Sequence, residues 1–400
     1  MPVQSDMSEA CDVVVVGAGP VGLLTALGVA QAGRSVTVIE AEPGINDSPR
    51  AAVYFPTTIK ILDRLGLLED TLAIALLSRS FAFHLLATGE VVRVADTFPP
   101  DSPYPYNAHF GQHILAQLVL KHFSALPGTT MRWNTRLVGL TQDESGATLT
   151  VETSGGREDL RTKWVVGADG ARSTVRNLLS LPFEGHTWPD RFVATNVSYD
   201  FERYGFEPAN MVADPVNWAV VARLGRENLW RVTFSEEASL PEDDIPRRIA
   251  EKYSVLLPDP SAPYRIVAFS PYRVHERCAP TFRVGRTLLA GDAAHACNPC
   301  GGMGLTGGVI DAAALIDVLT AVLAGRAAES VLDFYSTERR RVFLEVSSPI
   351  ASDFKRRMSE KDLARQRADF EEFRRQAEDP ARLSLSTALS KLVEGQPMPV

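Results

Sequence analysis

The sequence predicts an α/β fold in which a domain built on parallel strands is interleaved with an antiparallel sheet and followed by helices near the C-terminus. Residues 12–16 (DVVVV) and 287–290 (TLLA) are continuous apolar runs, typical of strands buried on both faces of a parallel sheet, and each leads into a glycine-rich turn. Between residues 192 and 270, four strand-like runs (FVATNVSY, WAVVARL, LWRVTF and YRIVAF) indicate antiparallel strands. The charged segment at residues 352–379, with sparse Phe and Leu, indicates surface helices.

The composition is that of a globular protein with more than one core, because 45% of the 400 residues are hydrophobic and 22% are charged. The net charge of -8 predicts repulsion from phosphate backbones and anionic lipids, so we expect no nucleic-acid or membrane partner. Residues 1–10 lack a charged start followed by an apolar run, and no later segment offers about 18 uninterrupted apolar residues. We therefore expect a cytoplasmic protein, with a monomer or a homodimer both possible.

Residues 12–40 predict one βαβ unit. The first strand, residues 12–16, is followed by an apolar segment at residues 23–32 with the composition of a crossover helix packed under a sheet, and Gly33 ends that helix. Residues 35–39 (SVTVI) predict the second strand, which closes at Glu40.

The glycine turn of this unit, GAGPVG, matches the G-x-G-x-x-G pattern of a dinucleotide site. Gly17 permits the tight bend, Gly19 lets the backbone approach a pyrophosphate, and Gly22 allows close packing of helix against strand. The helix N-terminus presents free N–H groups and a partial positive charge to that phosphate. Glu40 lies where a carboxylate can accept hydrogen bonds from a ribose diol. A tight turn without ligand would also use glycines, but the strand, helix and acid together favour a dinucleotide site.

Two later segments identify a family. Residues 164–176 (WVVGADGARSTVR) and 287–306 (TLLAGDAAHACNPCGGMGLT) resemble the paired D-G and G-D motifs of the flavoprotein aromatic hydroxylases, the para-hydroxybenzoate hydroxylase superfamily. Pro49-Arg50-Ala51 is similar to the family's arginine after the second strand, and Gly111-Gln112 to its glutamine that opens a helix. The resemblance covers nearly the whole chain. It implies a Rossmann-like FAD-binding domain (residues 8–75, 108–178 and 275–345), an interleaved antiparallel-sheet substrate domain (76–107 and 179–274) and a C-terminal helical segment (346–400).

The resemblance also implies non-covalent FAD, with NADPH or NADH as electron donor. Arg50 and Gln112 would bind the flavin and its diphosphate, with Arg50 also near the nicotinamide. Asp169 would support the cofactor and nicotinamide region, and Asp292 would hydrogen-bond the ribityl chain. A second glycine pattern would begin a long helix whose positive end faces the flavin pyrimidine ring. The residues of this loop and helix start that would contact the flavin are Pro299, Gly302, Met303, Gly304, Leu305 and Thr306.

The chain departs from the commonest family pattern at Asn298, Cys300, Met303 and Thr306. These positions lie beside the expected flavin ring, so they bear on substrate and flavin environment, not on FAD binding. Cys297 and Cys300 form a C-x-x-C that can be a redox pair. A disulfide reductase would also need a second dinucleotide domain, so we interpret the two cysteines as pocket variants.

We expect no metal site. His109 and His113 have helical i,i+4 spacing, but Gly111 lies between them and no acidic residue completes a metalloprotease pattern.

By resemblance, NAD(P)H reduces the flavin, dioxygen forms a hydroperoxide on it, and the distal oxygen attacks an electron-rich phenolic or heteroaromatic small molecule. A site that stabilises the phenolate would activate the ring, since a phenol has a reference pKa of about 10. The sequence does not assign this role, and packing is the better interpretation of every side chain that could line the pocket. The candidates are His84, Tyr104, Tyr106, Asn210, Trp218 and Arg231. Two alternatives stay open: a related FAD dehydrogenase or reductase without oxygen insertion, and a flavin-binding regulatory protein without turnover.

Overall fold

The computed structural model describes residues 11–96, 98–99, 101–379 and 385–400. The strands in chain order are β1 (Cys11–Val16), β2 (Val36–Ile39), β3 (Val53–Tyr54), β4 (Leu76–Ser78), β5 (Ser80–Leu85), β6 (Glu90–Ala95), β7 (Asn107–His109), β8 (Thr129–Arg132), β9 (Arg136–Asp143), β10 (Gly146–Thr153), β11 (Gly156–Gly167), β12 (Glu184–Ser198), β13 (Ala209–Ala213), β14 (Ala219–Arg223), β15 (Trp230–Glu237), β16 (Arg265–Cys278), β17 (Arg283–Val284), β18 (Thr287–Leu289) and β19 (His295–Ala296). The helices are α1 (Pro20–Gln31), α2 (Pro56–Arg64), α3 (Leu68–Ile74), α4 (Gln112–Ser124), α5 (Thr174–Leu178), α6 (Ile245–Leu256), α7 (Met303–Leu323), α8 (Ser330–Val342), α9 (Ser348–Met358), α10 (Leu363–Glu378) and α11 (Leu385–Glu394).

The first sheet carries the glycine-rich turns. Six of its strands lie in the order β17-β18-β11-β1-β2-β8, and β1 pairs in parallel with both β11 and β2. The run from Val13 to Val15 is fully buried, which requires cover on both faces and explains its continuous apolar sequence. Because β18 also pairs in parallel with β11, the carboxyl ends of β1 and β18 meet at one edge of the sheet. Open α/β sheets bind their ligands at this edge.

Strand β11 takes part in two kinds of pairing. Its first part pairs antiparallel with β10, which pairs antiparallel with β9, so the three strands form a meander. Its second part, from Trp164 onward, pairs in parallel with β1. The sheet therefore holds the D-G motif directly at the end of β11.

The second sheet has the order β19-β16-β12-β15-β14-β13-β5-β6 and is antiparallel except where β13 pairs with β5. Alternating side chains of its strands pack on opposite faces. Val193, Trp230 and Phe234 form a separate core with α6, whereas Phe192 and Phe83 belong to the main core. The domain boundaries stay a prediction, and β16 crosses the predicted boundary at residue 275.

The long apolar helix predicted after the second glycine pattern is α7. In the part of the chain that the structure describes, the segment Cys300–Leu323 is long and apolar enough to cross a membrane by length and composition. Within it, 83% of the apolar window is buried inside the protein. Packing in the core therefore accounts for its apolar sequence.

The charged C-terminal segment forms α9 and α10. Helix α10 places Phe370 and Phe373 against the second sheet, where the ring centroids of Phe373 and Phe83 are 3.5 Å apart. The sparse aromatic residues of this segment are therefore the contacts that hold a charged helix on the sheet.

Candidate active site

The first glycine turn has the three steric properties that a pyrophosphate-binding turn needs. Gly17 has a φ of +106°, and a Cβ there would lie 2.5 Å from the carbonyl oxygen of Ala168. At Gly22, a Cβ would lie 2.2 Å from the carbonyl oxygen of Gly17, so helix and strand can approach only at a glycine. A Cβ on Gly19 would meet nothing within 4 Å. The turn therefore has no space for a side chain at Gly17 or Gly22. It is open to a ligand at Gly19, the N-cap of α1.

Glu40 holds this turn against β2. One carboxylate oxygen accepts the backbone N–H of Ala18 at 2.8 Å, and the other accepts that of Glu42 at 3.0 Å. Since each carboxylate oxygen can accept two hydrogen bonds, Glu40 keeps acceptor capacity for a ribose diol.

The G-D motif reaches the first glycine turn through α1. Val21 lies 3.0 Å from a Cβ placed on Gly291, so the two turns pack closely. Asp292 is exposed within the short 3₁₀ turn Gly291–Ala293 and forms no hydrogen bond or ion pair with another described residue. Desolvation by the surrounding protein raises the pKa of Asp292. The positive charges of His295 and Arg50 oppose this effect. Asp292 is therefore an unpartnered carboxyl group at the edge of the sheet where ligands bind.

A buried network fixes the G-D motif from behind, and the sequence analysis missed it. Asp311 on α7 is fully buried. Its Oδ2 accepts the backbone N–H of Gly291 at 3.1 Å and lies 2.6 Å from His295 Nε2, and its Oδ1 accepts Arg339 Nε at 2.7 Å. Burial raises the pKa of Asp311, but His295 and Arg339 outweigh that effect and lower it to about 2. The sequence did offer one signal for this network: Asp311 is an acidic residue within a largely apolar helix.

The D-G motif organises its own loop. Asp169 accepts hydrogen bonds from Ser173 Oγ (2.5 Å) and from the backbone N–H groups of Thr174 (2.7 Å) and Val175 (3.1 Å). Burial raises the pKa of Asp169, against the effect of these donors. Asp169 therefore fixes the backbone at the start of α5 through its own hydrogen bonds.

Gln112 lies at the start of α4. Its backbone N–H donates to the carbonyl oxygen of Ala51 at 3.1 Å, and its half-buried side chain makes no hydrogen bond with another described residue. This contact fixes the segment that carries Arg50 beside the N-terminus of α4.

The contacts of the loop before α7 explain one departure from the family pattern, Asn298. Asn298 is fully buried, donates from Nδ2 to Glu276 Oε2 at 3.0 Å and accepts the backbone N–H of Cys300 at 3.0 Å. Trp188 Nε1 donates to the same Glu276 oxygen at 3.3 Å. Both contacts of Asn298 use its side-chain amide, so Asn298 and Glu276 form one buried polar pair. Gly302, the N-cap of α7, has a φ of +72°.

The four cysteines of the chain are free thiols. Burial raises the pKa of Cys297 and of Cys300, so both are neutral at ordinary pH and poor nucleophiles. This agrees with interpreting them as pocket variants.

The two histidines with helical spacing do not share a helix. His109 is fully buried on β7, with Nε2 2.8 Å from Ser78 Oγ, and burial lowers its pKa to about 4. His113 lies in the first turn of α4. Among the residues that the structure describes, no group of three or more His, Cys, Asp or Glu side chains could hold a metal ion.

Of the six candidates for stabilising a substrate phenolate, five have partners within the protein instead. His84 and Asn210 hydrogen-bond to each other at 3.0 Å, and His84 stacks on Phe206, which packs against the α6 core. Trp218 packs edge-on against Phe192, with ring centroids 5.0 Å apart. Tyr104 donates to Asp63, and Tyr106 packs partly buried against the main core.

Arg231 is the exception, because it reaches the segment of Arg50. Its Nη1 donates to the Arg50 carbonyl oxygen and its Nε to Asn196 Oδ1 at 2.8 Å. The Arg50 guanidinium lies 5.2 Å from the centroid of the Tyr272 ring. These groups connect the second sheet to the residues around Asp292.

A positively charged surface lies beside the D-G motif. Burial and then the charges of four arginines lower the pKa of His275. None of the four lies within 4 Å of a carboxylate among the described residues, although the chain carries a net charge of -8. Of these four arginines, Arg172 and Arg273 are exposed, Arg277 is half-buried and Arg176 is buried.

Known proteins match this arrangement. The family model described as a FAD binding domain matches residues 10–348. A para-nitrophenol 4-monooxygenase from a Pseudomonas species is 46% identical over 373 residues, 92% of each chain. The 6-hydroxy-3-succinoylpyridine 3-monooxygenase of Pseudomonas putida is 43% identical over 352 residues, 87% of this chain and 88% of that protein. The crystal structure of a p-nitrophenol 4-monooxygenase from Pseudomonas putida superposes with a TM-score of 0.92 at 42% identity, covering 97% of this chain and 99% of that one.

These matches confirm the predicted FAD-binding α/β fold and the predicted family. They also support the cofactor, because solved relatives contain FAD. The chain belongs to the flavoprotein aromatic hydroxylases and is a FAD-dependent aromatic monooxygenase.

Proposed function

We propose that this monooxygenase oxygenates a phenol or hydroxypyridine at the carbon para to the hydroxyl group, where the ring already carries an electron-withdrawing substituent. The names of two relatives support this regiochemistry. In para-nitrophenol, carbon 4 bears the nitro group. In 6-hydroxy-3-succinoylpyridine, carbon 3 bears the succinoyl group and lies para to the hydroxyl group. Both enzymes are thus named for oxygenation at a substituted carbon.

With a nitro substituent, the ring carbon gains a C–O bond and loses its C–N bond. The nitro group leaves as nitrite with the bonding electrons, the phenolic proton is lost, and a quinone forms. One NAD(P)H supplies two electrons, and the second atom of dioxygen becomes water. Bound FAD would carry these electrons and deliver the oxygen atom. The protein must orient the ring, stabilise its ionised oxygen and exclude water.

One observation carries the assignment of the FAD site: the unpartnered Asp292 lies next to an open turn at Gly19. The N-terminus of α1 would hold the pyrophosphate, Glu40 the ribose and Asp292 the ribityl chain. The N-terminus of α7 would stabilise negative charge on the pyrimidine side of the ring. The remaining residues proposed to line the site are Gly17, Gly22, Arg50, Gln112, Asp169, Pro299, Gly302, Met303, Gly304, Leu305 and Thr306.

The arginine surface around His275 is proposed to bind the phosphates of NAD(P)H. Arg273→Gln should weaken donor binding about fivefold, since an exposed charge pair contributes about 1 kcal/mol. Anaerobic flavin reduction, measured against donor concentration, gives this value. Arg265→Gln is the matched control, because Arg265 is also exposed on β16 but lies eight residues away. Equal donor affinity in both variants would contradict the assignment.

The proposed reaction is tested with para-nitrophenol, NAD(P)H and labelled dioxygen. We expect one nitrite per NAD(P)H oxidised, and one labelled oxygen atom in the quinone after immediate reduction to the hydroquinone. Mass spectrometry and a nitrite assay give both quantities. A labelled product that keeps its nitro group would refute the regiochemistry alone. Substrate consumption without label would refute oxygen insertion and favour the dehydrogenase alternative.

We also propose that the protein acts in the cytoplasm. Its four cysteines are free thiols, as is usual in a reducing compartment. Cell fractionation tests this, and recovery in an extracytoplasmic fraction would contradict it.

A further inference from the structure

Arg231 is a buried cation without an acidic partner. Its side chain is 4% exposed on β15, at the centre of the second sheet. Its hydrogen bonds go to two neutral oxygens, Asn196 Oδ1 and the carbonyl oxygen of Arg50. No carboxylate of a described residue lies within 4 Å of it, and Nη2 donates no hydrogen bond within the described part of the chain. Burial lowers the pKa of Arg231 only to about 10, so it stays charged at neutral pH.

An unpaired charge in this position is unfavourable, because desolvation of a buried ion is compensated only by a close counter-ion or by several hydrogen bonds. Arg191 shows the usual solution on the adjacent strand β12. It is equally buried, at 4%, but pairs with Glu236 at 2.6 Å. The contrast indicates that the counter-ion of Arg231 is not part of the described chain.

A second polar group in the same place has no partner. The hydroxyl oxygen of Tyr54 is buried without a hydrogen bond among the described residues, and Tyr54 is 1% exposed. Burial raises the pKa of Tyr54 and of Tyr272, so both phenols are neutral and can donate. The charged and titratable groups that interact with Arg231 are Tyr272, Tyr54, Arg50 and His113, and none of them is an acid that could neutralise it.

The surroundings fit a flat ring. Tyr54 stacks on Phe110 with centroids 4.1 Å apart, and Tyr272 lies 6.1 Å from the Phe192 ring. Phe55, the next residue after Tyr54, is 3.1 Å from a Cβ placed on Gly302. Tyr272 interacts electrostatically with both Arg231 and Cys300, so the cation lies near the glycine loop that precedes α7.

We propose that Arg231 is the counter-ion of the ionised substrate oxygen: the phenolate of the substrate binds at Arg231, with Tyr54 as a second donor. The inference rests on the proposed phenol substrate and assigns its orientation, with the hydroxyl end held on the second sheet. Withdrawing a proton from the substrate before oxygenation makes its ring electron-rich. A cation within about 4–6 Å lowers the pKa of an acid by about 1–3 pH units.

The test is the pKa of para-nitrophenol bound to oxidised, FAD-loaded enzyme without electron donor, so that no turnover occurs. The neutral and ionised forms absorb differently, and difference spectra against pH report the bound form. In the wild type, the bound phenol should have a pKa about 1–3 pH units below that of free para-nitrophenol. Arg231→Met should abolish this shift, and Arg231→Lys should retain part of it.

Arg191→Lys is the matched control, since it alters an equally buried arginine that has its own carboxylate, and the shift should persist in it. para-Nitroanisole, the methyl ether, cannot ionise, so the wild type should bind it at least tenfold more weakly than the phenol at a pH where the bound phenol is ionised. Equal binding of phenol and ether, or an unchanged ligand pKa in Arg231→Met, would overturn the inference. If Arg231→Met does not fold, Arg231→Lys and the ether comparison decide. Nitrite release with no pKa shift would leave the proposed function standing, and a pKa shift without turnover would refute only that function.

Discussion

Gly19→Val is expected to leave the apoprotein folded and to weaken FAD binding at least 100-fold. Gly19 has an extended backbone (φ -72°, ψ 170°) that valine also adopts, and a Cβ there meets no atom within 4 Å. The added side chain would instead occupy the space through which a pyrophosphate approaches the N-terminus of α1. Losing two charge-assisted hydrogen bonds at about 1.5–3 kcal/mol each weakens binding at least 100-fold. Titration of apoprotein with FAD, followed by flavin fluorescence, measures the loss.

Two further variants calibrate this result. Gly22→Ala should destabilise the fold itself, because its Cβ would lie 2.2 Å from a backbone oxygen that cannot move away. Asp292→Asn should lower FAD affinity by about tenfold to 100-fold while the fold is kept, since one charge-assisted hydrogen bond is weakened. Normal FAD affinity in Gly19→Val would show that the cofactor does not approach the turn there.

Asp311→Ala is expected to reduce the free energy of unfolding by about 3–5 kcal/mol, because it leaves Arg339 buried and unpaired. It also removes the acceptor for the Gly291 backbone N–H, so FAD affinity should fall with stability. Urea unfolding of the apoprotein measures the first effect. Asp317→Ala is the control on the same helix, since Asp317 forms a partly exposed ion pair with Arg64 and should cost under about 1 kcal/mol.

The effect of Asp311 depends on pH with a defined sign. Its pKa is about 2 in the folded protein, below its value of about 4 in an unfolded chain. The stabilisation is therefore complete above about pH 4 and is lost as the pH falls through 2. The stability difference between wild type and Asp311→Ala should be largest near neutral pH and narrow in acid. A difference that is constant with pH would contradict ionisation of Asp311 as its cause.

The βαβ unit, the two glycine turns and the family were predictable because their determinants are contiguous. Gly17 has a positive φ of +106°, and a Cβ on Gly22 would meet the carbonyl oxygen of Gly17, so both constraints lie within the turn itself. Buried parallel strands require unbroken apolar runs, which are visible in any short window. The G-D motif was recognisable for the same reason, since Asp292 follows β18 by only a few residues.

The tertiary structure alone decided which polar groups are paired. Arg231 meets the carbonyl oxygen of Arg50 across 181 residues, and Asp311 meets Arg339 across 28. A sequence window contains neither partner, and it cannot show that a partner is missing. Arg231, one of six candidates in the sequence, is as buried as Arg191 but lacks the carboxylate partner that Arg191 has among the described residues. Hydrogen bonds and ion pairs act over a few ångströms in space, so their completeness depends on how distant strands pack, whereas turns and buried strands depend on consecutive residues.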